Sequence, residues 1–183
     1  MRRSLSCFIF FLSLIIGFTA CSPDKDNKAL EPYDGPLLEA VDVEMLVSDS
    51  AVVRMKLTGK RQWDFKNGNR EFPEGLFMEF LEPDGSITST IKADSGFYTS
   101  ETNLYRAKGD VVVVSKEEEE KELYTDELFW DPAKEKIYTD KYVKIITLTD
   151  TLEGTGLESD QNFINYEILN PKGSTILDDD EEF

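Results

Sequence analysis

The chain has 183 residues, 37 of them acidic against 20 basic, giving a formal charge of −17, and it contains no histidine. So acidic a chain offers no basic patch to release counterions from phosphates, which excludes nucleic acid as a partner. Without histidine the commonest general base and metal ligand are missing. Carboxylates abound, but no spacing marks two of them as a pair, so no catalytic residue, metal site or cofactor is expected.

The N-terminus carries the first specific signal. Arg2 and Arg3 precede an apolar stretch from Phe8 to Phe18, followed by Thr19-Ala20-Cys21. A bilayer-spanning helix needs about 20 apolar residues, and this run is roughly half that, as in a cleaved signal peptide. A cysteine directly after a small residue at the end of such a run reads as a lipoprotein processing site. Residues 1–20 would be removed and Cys21 would become the lipid-modified N-terminus, bearing palmitate-type acyl chains. A plain secretory signal with an incidental cysteine is the alternative. Each buried methylene contributes about 0.8 kcal/mol, so several chains hold a protein to a membrane where one does not. Cys7 lies in the discarded segment, leaving one mature cysteine and no disulfide. The loss of Arg2 and Arg3 takes the formal charge from −17 to about −19. About 163 residues remain, enough for one domain.

Residues 21–36, with their prolines and polar side chains, read as a tether. A domain follows over 37–177, then an acidic tail over 178–183. Within the domain, short apolar or alternating runs are separated by closely spaced turn signals. Leu37 to Met45 fits a helical turn or a strand. Val52 to Leu57 alternates at the strand period, and Leu76 to Leu81 runs through Pro83-Asp84-Gly85 into Ile87 to Ile91, a strand–turn–strand pattern. Further strands are expected at Asn103 to Ala107, Asp110 to Ser115, Leu123 to Phe129, Lys136 to Thr139, Tyr142 to Thr149 and Asn162 to Leu169. Joints are expected at Asp131–Lys134, Gly154–Gly156 and Asn170–Gly173. The composition of these runs, rich in Val, Ile, Thr, Tyr and Phe, makes the chain all-β. Glu117 to Glu120 reads as a solvated hairpin tip, and Asp178 to Glu182 as a solvated end.

A repeat organises these strands. Ala93-Asp94-Ser95-Gly96-Phe97, Thr125-Asp126-Glu127-Leu128-Phe129 and Ser159-Asp160-Gln161-Asn162-Phe163 share a small residue, an aspartate and a phenylalanine three further on. Between the first two copies Leu104 matches Ile137, and Val111 and Val113 match Val143 and Ile145. Lys144 separates Val143 from Ile145, so these two should face inward, and with them Val111 and Val113. The same logic turns Leu76, Met78 and Phe80 inward. With the repeated Phe97 and Phe129 and the matched Leu104 and Ile137, they form a continuous apolar trough. Periodicity leaves open whether this trough is a filled core or an open groove.

The stretch from about Leu76 to Leu169 resembles the LptC family of lipopolysaccharide-export bridge proteins, within the wider OstA-like repeat group. The resemblance is carried by Ile91-Lys92-Ala93-Asp94-Ser95-Gly96-Phe97-Tyr98, by Leu104 to Val113, by Leu128-Phe129-Trp130-Asp131 and by Leu152 to Asp160. It implies a twisted antiparallel β-jelly roll, V-shaped like LptA, whose apolar groove is open and binds the acyl chains of lipopolysaccharide. It also implies partners. Lipopolysaccharide would come from the jelly-roll domains of an ABC-transporter permease and pass to a periplasmic LptA-like bridge protein. The acceptor would pair at the edge strand around Phe163, Ile164, Tyr166 and Ile168. Many family members are held by a transmembrane helix, whereas this chain reads as lipidated at Cys21, most naturally in the inner membrane of a Gram-negative bacterium. The rival readings are a lipoprotein, at the outer membrane, that binds another amphiphile, and an assembly scaffold with a filled core.

Overall fold

The computed structural model describes residues 33–116 and 121–173, and the folded unit begins at Gly35. The signal and lipidation expectations at residues 1–21, most of the tether, the Glu117–Glu120 tip and the tail at 178–183 lie outside the described residues.

Eleven strands run in chain order: β1 Leu38–Asp49, β2 Val52–Asp64, β3 Arg70–Phe72, β4 Leu76–Leu81, β5 Ile87–Ala93, β6 Ser95–Thr99, β7 Leu104–Ser115, β8 Lys121–Asp131, β9 Lys136–Ile146, β10 Thr151–Asp160 and β11 Tyr166–Lys172. All pair antiparallel, and the described residues contain no helix. Leu38 to Met45 is therefore strand. The Pro83-Asp84-Gly85 turn joins β4 to β5, with Asp84 Oδ1 accepting from the Ser86 amide at 2.9 Å.

The pairing circuit explains the architecture. β2 pairs β4 through residues 55–58 and β3 through 63–64. β7 pairs β5 through 112–115 and β6 through 104–108. With β4 on β5 and β3 on β6, six strands close a ring. The sheet folds over into two leaves, a β-jelly roll, as the contact of Phe80 on β4 with Trp130 at the far end of β8 requires, their ring centres lying 5.1 Å apart. Leaf one contains β4, β5 and the halves of β7, β8 and β9 at residues 111–115, 121–125 and 142–146. Leaf two contains β3, β6 and the other halves of the same three strands.

The crease runs where the registers slip, between Lys108 and Val111 on β7, Thr125 and Phe129 on β8, and Thr155 and Leu157 on β10. At Gly109 (φ 79°) and Asp110 (φ 40°) the backbone of β7 is left-handed, a conformation glycine adopts at little steric cost. The Asp94 amide, between β5 and β6, donates to the Gly109 carbonyl at 2.9 Å across the same line. Asp94 and Asp126 of the repeat thus both mark the crease. The third repeated aspartate, Asp160, does not. It ends β10, and its carboxylate accepts the amides of Asn162, Ile164 and Asn165 at 2.8–3.1 Å.

Other expectations are corrected by these pairings. The separate strands expected over 103–107 and 110–115 are one bulged strand, as are those over 136–139 and 142–149. Gly154–Gly156 is not a joint but the middle of β10. A Cβ at Gly154 would lie 2.3 Å from Ile168 Cγ2 and 2.7 Å from the Asn170 carbonyl oxygen, so glycine is there for the close approach of β11. Asn170 to Lys172 likewise continue β11, and Asn162 to Asn165 form a turn ahead of it.

Candidate functional site: the interior between the leaves

Alternation turns one face of each leaf inward. On leaf one a single cross-strand row runs Leu57, Met78, Ile91, Val113, Leu123 and Ile145, through β2, β4, β5, β7, β8 and β9. Every member is at most 1% exposed. Beside it lie Leu76, Phe80, Val111 and Val143, all buried. On leaf two the corresponding row is aromatic, Tyr98, Tyr105 and Trp130, then Ile137. Their rings lie 4.8 Å (Tyr98–Tyr105) and 5.0 Å (Tyr105–Trp130) apart. Burial raises the Tyr105 hydroxyl pKa, with a smaller push from Tyr98 and a counteracting pull from Arg70. Arg70 itself sits over the Tyr98 ring, 5.3 Å from its centre, at the end of the row.

Eight residues read from the sequence as groove-lining are brought together here: Leu76, Met78, Phe80, Val111, Val113, Ile137, Val143 and Ile145. Three are not. Phe97, Leu104 and Phe129 lie on the outer face of leaf two, because their neighbours Gly96, Tyr105, Leu128 and Trp130 are the buried ones. The physical reason is clearest on β8. Leu123 and Thr125 face inward, β8 then crosses the crease with one residue fewer than β7 or β9 beside it, and inwardness passes to Leu128 and Trp130. A bulge resets the phase of a strand.

Outside, the displaced residues make their own row. The Arg106 guanidinium stacks 4.4 Å from the Phe97 ring centre and lies 3.7 Å from a Glu127 carboxylate oxygen. Phe129 stacks on Tyr138 at 5.4 Å with the planes 15° apart.

The edge-strand reading divides as well. Tyr166 and Ile168 lie on β11, which among the described residues pairs with β10 alone. Ile164 is an exposed turn residue, and Phe163 is fully buried in the turn with φ at 56°. Phe163 therefore belongs to the interior, against Tyr166 at 5.3 Å.

Sequence reading missed Trp130, Tyr105, Leu57, Phe72 and Leu157 as interior residues. Strict alternation from Leu128 would have found Trp130. Phe72 stands on a three-residue strand with no readable period.

Together the fold and this interior define a class: a jelly-roll protein whose sheet folds over a continuous apolar face. The family model described as "Lipopolysaccharide-assembly, LptC-related" matches residues 9–170, so the chain belongs to the LptC-related family. The match extends the resemblance read over Leu76 to Leu169 into the N-terminal apolar segment. No curated protein matches the chain. Membership gives the chain a role in lipopolysaccharide transport in the Gram-negative envelope.

Proposed function

We propose that this protein is a non-enzymatic relay that accepts lipopolysaccharide from an inner-membrane ABC transporter and passes it to a periplasmic bridge protein of the same fold. The observation that carries this reading is the unbroken apolar row from Leu57 to Ile145, which contains no charged side chain across six strands. Acyl chains need non-directional apolar contact, worth about 25 cal/mol per Å² buried, and no chemistry. Their place is between the leaves, against Val111, Val113, Val143 and Ile145.

The ends of the sheet support the partner assignment. Among the described residues β1 pairs with β2 alone and β11 with β10 alone, so each leaves a row of backbone groups for strand addition. We assign the β1 edge to the permease jelly-roll domains and the β11 edge, through Tyr166 and Ile168, to the LptA-like acceptor. Cys21 supplies the acyl anchor, and the inner membrane is where a relay of this kind has to stand.

The test is photocrosslinking in cells at two adjacent positions of β7. Val113 is fully buried and Val112 points outward. A lipopolysaccharide adduct at Val113 and none at Val112 is the expected result. No adduct at Val113, Val143 or Ile145 would favour an assembly scaffold with a permanently filled core.

A further inference from the structure

The interior is full. Leu57, Val113, Leu123, Ile137, Val143 and Ile145 have no exposed surface, so an acyl chain can enter only where the leaves part. At the end opposite the crease, the turn 161–165 between β10 and β11 ties them together by hydrogen bonds.

This turn is carried by leaf two but bonded to leaf one. Ser89 Oγ of β5 donates to the Gln161 carbonyl at 2.7 Å, and Thr88 Oγ1 donates to Asn162 Oδ1 at 3.1 Å. On its own side, Trp130 Nε1 donates to Gln161 Oε1 at 3.1 Å and the Gln161 amide donates to the Glu135 carbonyl at 2.9 Å. The Asp160 carboxylate gathers the amides of Asn162, Ile164 and Asn165, which makes the turn one rigid piece. At its centre Phe163 holds a left-handed backbone, unusual for a bulky residue, and places its ring entirely inside. A cleft of about 450 Å³ opens beside Gln161 and Asn162 of the turn, with Met55, Phe80 and Trp130 on its apolar side and Asp49, Arg54, Glu82 and Glu135 on its polar side. Just inside, Ser115 pairs across the strands with Ser89, and its buried hydroxyl has no hydrogen-bond partner among the described residues.

We propose that the turn 161–165 is a latch and Phe163 a plug that an incoming acyl chain replaces. The inference rests on the lipid-transfer reading above. Releasing the Ser89 and Thr88 bonds frees the turn from leaf one without breaking any pairing within leaf two. Phe163 withdraws with it, and the chain of the amphiphile takes the vacated apolar space. The Ser89 and Ser115 hydroxyls then stand together at the entrance, two donors for ester or hydroxyl oxygens of the acyl region.

The experiment locks the latch. In the full chain, purified in detergent, Thr88→Cys is combined with Asn162→Cys, and binding of fluorophore-labelled lipopolysaccharide is measured oxidised and reduced. At least tenfold weaker binding when the crosslink is formed, restored by reduction, is the expected result. Equal binding in both states would overturn the latch while leaving the lipid reading intact. Absence of binding by the unsubstituted chain would overturn both. Ser89→Ala with Asn162→Ala gives the opposite perturbation and requires no crosslink. Removing two ties of ordinary hydrogen-bond strength should speed lipopolysaccharide association about fivefold or more. An unchanged association rate would overturn the latch.

Discussion

Phe80 of β4 meets Trp130 of β8 edge-on across the interior, with ring centres 5.1 Å apart and planes at 73°. Phe80 belongs to leaf one and Trp130 to leaf two, so this contact joins leaf to leaf, away from the crease. Edge-to-face packing of this kind adds to the area the two rings bury.

The pair sets the first prediction. Trp130→Ala should destabilise the domain by about 3–5 kcal/mol, the cost of truncating a large buried aromatic. Phe129→Ala, one residue away, removes only a surface stack on Tyr138 and should cost about 1 kcal/mol. Urea unfolding midpoints measure both. Equal losses would mean that the inward face of β8 is wrongly assigned.

The crease makes a second. A Cβ on Gly109 would lie 2.8 Å from Asp94 Oδ2 on a backbone with φ at 79°. Gly109→Ala combines backbone strain with a clash and should cost about 1–3 kcal/mol. Gly85 also has positive φ (86°), but a Cβ there would meet nothing within 4 Å, so Gly85→Ala should cost less. Thermal unfolding of the two variants gives the comparison.

Acid stability gives a third. The Lys134 ammonium, 2.9 Å away, and the amides of Ala133 and Lys134 hold the Asp131 carboxyl below the usual carboxylate range. A carboxyl whose folded pKa is depressed contributes stability that is fully present above its unfolded pKa and is lost as pH falls through the folded one. The stability difference between the native chain and Asp131→Ala should therefore be constant above about pH 5 and shrink below about pH 4. Denaturation curves at several pH values measure it. A difference that persists unchanged at pH 2 would mean that the charge contributes nothing.

The anchor is tested at Cys21. Under the proposed lipid anchor, Cys21→Ser should abolish incorporation of labelled palmitate and release the protein from the membrane fraction, because the other cysteine, Cys7, lies in the segment expected to be cleaved. Continued membrane association without label would assign anchoring to the Phe8–Phe18 segment instead.

Much of the fold was legible in the residues. Leu76 to Leu81 and Ile87 to Ile91 alternate cleanly about a Pro-Asp-Gly turn, and the structure has that hairpin. The inward facing of Val111, Val113, Val143 and Ile145 followed from one lysine, Lys144, placed between two apolar neighbours. β10 was hidden because Gly154 and Gly156 read as turn residues, when one of them makes room for β11. β3 and β6 are short, and each gains its place only from partners distant in the chain.

The sequence by itself determined the all-β character, the repeat, the hairpin and the apolar face of each unbroken run, because a period of two fixes relative facing along a strand. Only the tertiary structure decided where that period is interrupted. The crease adds a residue on β7 at Gly109–Asp110 and one on β9 between Tyr138 and Val143, and β8, shorter by one between them, turns Phe129 outward and Trp130 in. It also decided how the two leaves meet, through Ser89, Thr88 and the buried ring of Phe163. Those contacts link residues more than 70 positions apart, and no local pattern encodes them.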